Sequence, residues 1–250
     1  MAKDTSDSGM SKRDEIAAAL RAKIESGELA PGAQVPGENA LVSEFGYSQP
    51  TARAALNLLR GEGLIRIERG KGAFVRDFKP ILRDATTRLS AEQWGAGHAI
   101  WSADLGLRPM SVESIEVSTI DAPPEIEALL GVRRVLTRER VYAVEGRRVQ
   151  SAISYLPADL VAGSPIERPD SGPGGTYARL RDLGHEPVKF VEQVRVRMPR
   201  PGERKLLHLD VGQPVAAIRR TAATAEGRVV EVNDMVLLGE AYVMQWSFTS

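Results

Sequence analysis

The sequence predicts an α+β protein built in two parts, and three observations predict it. The first 80 or so residues carry three helical patterns and then two short apolar runs around a glycine turn. From about residue 90 the texture changes to alternating, strand-like runs with a few helical patches between them. The turns Glu145-Gly146 and Glu226-Gly227 each sit between two such runs, which predicts hairpins and a mainly antiparallel sheet. A length of 250 residues suits a small domain joined to a medium one.

Met1 to Met10 is polar and small, so it reads as a disordered tail and not as a secretory signal. In the first helix, from Ser11, Ile16, Leu20 and Ile24 fall on one stripe, and Gly27 is its stop. A second helix is expected from about Glu38 to Phe45, ended by Gly46. The third has Ser48 as N-cap and Pro50 in its first turn, where the missing N–H costs nothing, and Gly63 closes it. Leu64–Ile67 and Ala73–Val75 then flank the turn Glu68–Gly72. Helix, helix, helix, hairpin over residues 11–77 is the layout of a winged helix-turn-helix.

Residues 78–90, interrupted by Pro80 and carrying Arg83, Asp84 and Arg88, read as a solvated linker. Residues 91–250 form the second domain. Strands are expected at 112–117, 135–144, 148–155, 190–198, 215–224 and 229–238, with helical patches at 123–130, 175–183 and 203–209.

Composition narrows the function. There is no cysteine, which excludes disulfides, thiolate metal sites and a cysteine nucleophile. No apolar run approaches the roughly 18 residues of a membrane span, so a cytoplasmic protein without membrane partners is expected. Net charge is zero, so binding to nucleic acid would need a local basic patch. The third helix offers one. Ala52, Ala55, Leu56 and Leu59 share one face; Gln49, Arg53, Asn57 and Arg60 share the other, where they suit base edges and phosphates. Arg66, Arg69, Lys71 and Arg76 add basic charge around the hairpin against Glu68. Alone, each feature also reads as an ordinary solvated face or a plain basic hairpin.

The stretches Ile24–Gly32, Val35–Glu38, Ser48–Leu56, Glu62–Ile65 and Gly70–Val75, in that order, resemble the GntR family of bacterial transcription regulators. The resemblance places the DNA contacts on Asn39, Gln49, Thr51, Arg53, Arg69 and Gly70, and the basic hairpin adds Lys71. Asn39 and Gln49 stand where many members have arginine. Asparagine and glutamine prefer adenine and arginine prefers guanine, so the operator is expected to differ there.

The strand-like second half does not suit the all-helical, metal-binding class of that family. His98, His185 and His208 are read as structural or exposed, with no metal and no cofactor expected. Val135–Arg140, Ser154–Pro157, Gly175–Leu180, Gly212–Val215 and Gly227–Glu231 resemble instead the HutC subfamily, whose effector-sensing UTRA domain has a chorismate-lyase-like fold. Arg138 and Arg140, two apart on a strand, point to one face, and two guanidiniums there are costly to bury without an anion. The resemblance places this pair at the effector pocket, with Glu231 accepting from the ligand and Ser154, Tyr177 and Tyr242 in the lining. A solvent-facing strand side or pairing with carboxylates remains open for the arginines, and a plain core role for the tyrosines. Ala152 stands where the family often has glutamate. The glycine-rich loop Asp170–Gly175 reads equally as a flap or a flexible connection.

The expectation is a homodimeric repressor that binds a palindromic double-stranded operator and is released by a small-molecule effector. Two alternatives stand beside it: a chorismate-lyase-like enzyme fused to a DNA-binding head, and a ligand-independent DNA-binding protein. No catalytic constellation is visible for the enzyme.

Overall fold

A computed structural model describes residues 10–68, 70–86, 88–89 and 104–248. The chain divides into two compact units: residues up to Lys79 with Asp210–Gln213, and Pro80–Leu209 with Pro214 onward.

In the first unit, α1 (Lys12–Glu25) is capped by Ser11, whose Oγ accepts from the Asp14 N–H, and it buries Ile16, Ala17 and Leu20. A two-residue strand β1 (Gln34–Val35), short enough to escape periodicity, leads into α2 (Glu38–Phe45), which Gly46 ends in the left-handed region. The third helix, α3 (Gln49–Gly61), buries Ala52, Ala55, Leu56 and Leu59. Strands β2 (Ile65–Glu68) and β3 (Gly72–Val75) form the hairpin, and β1 joins β3 to complete a three-stranded sheet. Ile16, Leu20, Leu41, Leu59 and Ile65 are the fully buried centre. Each contributes about 1.5–3 kcal/mol of burial free energy. The alanines of α3 let it lie close against α1, and its polar face stays outside.

The second unit opens with β4 (Ile81–Asp84), then β5 (Met110–Asp121), α4 (Pro124–Leu130), β6 (Arg134–Val144) and β7 (Arg147–Pro157). Next come α5 (Ala158–Val161), a 3-10 turn, α6 (Gly175–Asp182), β8 (Lys189–Arg197) and α7 (Pro201–Leu206). The last elements are β9 (Val215–Ala223), β10 (Val229–Leu238) and β11 (Tyr242–Gln245). Six strands form an antiparallel sheet in the order β5-β6-β7-β10-β9-β8. Glu145 and Gly146 both have positive φ, as a tight two-residue hairpin requires. On one face α6 packs Tyr177, Ala178 and Leu180 against Leu136, Leu156 and Val230. On the other, α4 packs Ile126 and Leu130 against Val135 and Val232. Among the described residues no helix is long and apolar enough to cross a membrane.

The expectation of a solvated segment at 78–90 is corrected. Residues 81–84 are a strand, β4, paired in parallel with β11, an element the sequence did not announce. Arg83 is 1% exposed and forks onto Glu192, while Arg88 is buried against Asp104 at 3.1 Å. Their partners lie far along the chain or in a loop, so charge type alone misread them as solvated. The helix expected at 203–209 begins and ends earlier, at Pro201–Leu206, and His208 has a positive φ. Residues 1–9, most of the expected tail, lie outside the described residues.

Candidate functional site

The first unit presents an exposed polar surface along α3. Gln49, Arg53 and Asn57 are exposed there, and Asn39 is exposed in the first turn of α2. Arg53 donates from Nε and Nη2 to the two carboxylate oxygens of Glu38, at 2.7 and 2.9 Å. That fork holds the Glu38 carboxyl below its usual pKa. Thr51 and Ser48 share a hydroxyl–hydroxyl bond of 2.9 Å at the start of the helix.

In the β2–β3 turn, Glu68 takes both Arg66 and the Lys71 ammonium, the latter at 3.1 Å, and the Arg66 guanidinium lies 5.0 Å from the centre of the Phe74 ring. Gly70 has φ 78° and Gly72 φ 113°, so the turn needs glycine at both. A Cβ on Gly72 would meet Gln34 Nε2 at 2.9 Å. Arg69 lies outside the described residues. The described basic side chains Arg53, Arg66 and Lys71 are thus exposed or half-exposed and oriented by carboxylates.

The second unit contains a cavity of about 260 Å³ between the sheet, α6 and the loop Pro169–Gly175. Register explains its lining. Arg138, Ser154, Asn233, Arg220 and Glu192 lie side by side in one row across β6, β7, β10, β9 and β8. One row over stand Arg140, Ala152 and Met235. Glu231, two residues before Asn233 and paired with Ala222, faces the same side by alternation, and its Oε2 accepts a 2.5 Å bond from the Tyr177 hydroxyl.

Among the described residues four arginines line the cavity, Arg88, Arg138, Arg140 and Arg220, against two acids, Asp170 and Glu231. Arg138 is engaged already: its Nη groups donate to the carbonyls of Ile166, Arg168 and Pro169, the last at 2.8 Å. Burial, and then Arg140, lower its pKa to about 10. Arg140 donates to Ser154 Oγ and lies 5.9 Å from the Tyr142 ring centre. Arg220 is buried with its guanidinium 5.5 Å from the centre of the Tyr177 ring. It stands 3.8 and 3.9 Å from Glu192 and Glu231, too far for hydrogen bonds, and its Nε and Nη1 have no acceptor among the described residues. Burial opposes its charge, but Tyr177, Glu231 and Glu192 more than offset that and raise its pKa. The same burial pushes the Tyr177 hydroxyl well up. Such a cavity suits a small ligand with an anionic group, because buried guanidiniums gain most from charged acceptors.

Of the residues expected to bind an effector, Arg138, Arg140, Tyr177 and Glu231 line the cavity. Ser154 sits behind it, holding Arg140. Tyr242 is buried and donates to Gln150 at 3.3 Å, so it supports a lining residue without lining the cavity itself. Sequence reading missed Arg220, Asn233 and Gln150. The available signal was slight: Arg219 and Arg220 are adjacent on one strand and so face opposite sides of the sheet, but nothing local says which side is buried. Ala152 does line the cavity, and the loop Asp170–Gly175 forms one wall. His185 and His208 lie outside the lining, with His208 Nε2 3.2 Å from Arg148 Nη1; His98 is outside the described residues.

Residues 12–75 match the model of the bacterial regulatory proteins of the gntR family, and residues 106–243 match the UTRA domain. An HTH-type transcriptional regulator of Streptomyces coelicolor is 29% identical over 94% of this chain and 91% of its own. The HTH-type transcriptional repressor NagR of Bacillus subtilis is 27% identical over 91% of this chain and 90% of its own. A solved GntR-family regulator shares the fold with a TM-score of 0.64 at 23% identity, over 96% of this chain and 98% of that one. With a UTRA match across more than half its length behind a GntR head, the chain belongs to the GntR family of DNA-binding transcription regulators, in the group that carries a UTRA domain.

Proposed function

We propose that this regulator is a cytoplasmic repressor that binds a palindromic operator as a homodimer and is released by a small anionic effector held in the cavity. The reading of the heads rests on the family and on the exposed face of α3, with Asn39, Gln49, Thr51, Arg53, Arg69, Gly70 and Lys71 as DNA contacts. Repression is also what the name of the Bacillus subtilis relative states of that protein. The observation that carries the ligand is Arg220, a buried guanidinium on the cavity wall whose Nε and Nη1 lack acceptors among the described residues.

Arg140 and Arg220 take the anionic group in this reading. Arg138 shapes the loop, Glu231 with Tyr177 accepts from a hydroxyl or amide of the ligand, and Ser154 and Tyr242 support the wall. Two matched half-sites need two correctly spaced heads, so an effector that prefers another head spacing lowers operator affinity by the ratio of its affinities for the two states.

The test is a melting screen of the purified chain against phosphomonoesters and carboxylates, followed by anisotropy on an operator fragment selected from random DNA. A compound that raises Tm and also weakens operator binding is expected. If none does both, the ligand-independent reading takes its place.

A further inference from the structure

The cavity is sorted along the strands into a charged end and an apolar end. The charged end is the row of Arg138, Asn233 and Arg220, over which α6 and the loop close. The Tyr177 ring of α6 stands over Arg220, and the Pro169 carbonyl of the loop accepts from Arg138 at 2.8 Å. We infer that the ligand of this cavity is an amphipathic acid, a single carboxylate on an apolar tail of about six carbons, and not a polyhydroxylated sugar phosphate. The inference rests on the small anionic effector proposed above and names its chemical class.

The next two rows carry the apolar end. Ile115, Ala152 and Met235 share the row of Arg140, and Val112 shares the row of Tyr142 and Gln150. All of these line the cavity. Ala152 and Met235 are buried, Ile115 is half-buried and Val112 is exposed, so the apolar wall runs from beside the arginines out to an open mouth. The polar side chains of these rows are few. Arg140 donates to Ser154 Oγ and lies against the Tyr142 ring, and Gln150 Oε1 accepts from the Tyr242 hydroxyl. At the centre of the wall Ala152 offers a hydroxyl neither donor nor acceptor.

A sugar ring against this wall would give up the water on its hydroxyls for methyl and methylene groups, and each hydroxyl left unpaired opposes binding. An alkyl or aryl tail loses nothing there and gains its own burial. The head fits the other end. Arg220 is buried, with Nε and Nη1 lacking acceptors among the described residues, and a carboxylate is the charged acceptor that such a guanidinium pairs with best. Size sets the length of the tail. The cavity holds about 260 Å³. At about 30 Å³ for a water-sized group, that is room for about nine non-hydrogen atoms, about three in the carboxylate and about six in the tail.

The full chain is titrated calorimetrically with straight-chain carboxylates from acetate to dodecanoate, below their micellar concentrations, and with glucose 6-phosphate. Affinity is expected to rise about fourfold per methylene, the ~0.8 kcal/mol of one buried CH₂, as far as heptanoate and to level off beyond it. Glucose 6-phosphate, its hydroxyls unpaired, is expected to bind at least about 100-fold more weakly than heptanoate. Two lining variants should move the plateau in opposite directions. Ala152→Leu thickens the wall and should bring it back to about butanoate; Met235→Ala hollows the wall and should extend it to about decanoate. Circular dichroism melts verify folding, and either variant decides if the other fails to fold. A series without slope, glucose 6-phosphate binding more tightly than heptanoate, or a plateau that a folded variant leaves in place overturns the amphipathic ligand and leaves the anionic effector standing. Heptanoate that binds as expected but leaves operator affinity unchanged by anisotropy supports the ligand class and overturns the effector. If neither the carboxylates nor glucose 6-phosphate bind, both fall.

Discussion

The fork of Arg53, a DNA contact in the function proposed above, is filled by Glu38. The pair is exposed, so it adds little stability, on the order of 0–1 kcal/mol. What it supplies is orientation: both ends of the guanidinium fork are fixed on the Glu38 carboxylate. Arg53→Ala is accordingly expected to weaken operator binding by roughly 1–3 kcal/mol while leaving the melting temperature nearly unchanged. Anisotropy titration beside a melting curve checks both halves, and unchanged affinity in a folded variant would remove α3 from the interface. Arg138 has the opposite balance. It is buried, and its Nη groups are taken by three loop carbonyls. Hydrogen bonds from a charged group contribute about 1.5–3 kcal/mol each when their loss leaves acceptors unpaired. Arg138→Ala should lower stability by at least about 2 kcal/mol, whereas the half-buried Arg140→Ala should cost under about 1 kcal/mol. Denaturant melts of the two variants separate the loop clamp from the less buried cavity-lining arginine. Sequence spacing put both arginines on one face correctly; it could not show which was already satisfied, because the carbonyls come from a loop 28 to 31 residues away.

Elements were legible where their signals were local. The end of α2 follows from Gly46, and both hairpin turns fell where glycine requires them. β1, β4 and β11 were not legible because each is four residues or fewer and exists only by pairing with a distant partner. The hairpin beside α3 shows how much one turn can depend on glycine. At Gly72, φ is 113° and the nearest side-chain atom, Gln34 Nε2, stands 2.9 Å from a would-be Cβ. Gln34 also donates to the Lys71 carbonyl at 3.2 Å, so it cannot move without losing that bond. Gly72→Ala therefore meets both backbone strain and a clash, and is expected to cost roughly 1–3 kcal/mol. At Gly70 the space around a Cβ is open, so Gly70→Ala bears the φ term alone, about 1 kcal/mol. Urea midpoints of the two variants should preserve that order; a reversed order would mean that the turn is held in some other way.

At the scale of the whole molecule, the two units have separate cores, one centred on Ile16, Leu20, Leu41 and Leu59 and the other on the sheet packed by α4 and α6. Each core belongs to one compact stretch of chain apart from Asp210–Gln213, so each unit is expected to fold when cut near Lys79. The consequence for DNA follows from valence. In a dimer the second head binds its half-site at an effective concentration fixed by the tether, typically millimolar. A free head lacks that advantage and makes half the phosphate contacts. Residues 10–79 alone should thus bind the full operator at least 100-fold more weakly than the intact chain, with a salt slope about half as steep, since each phosphate neutralised contributes about 0.9 to that slope. The fragment from Pro80 onward should bind no DNA and keep the mass state of the full chain. Titrations at several salt concentrations measure both quantities. A free head that matched the intact chain in affinity and slope would mean that one head suffices, and the palindromic, two-headed reading would fall with it.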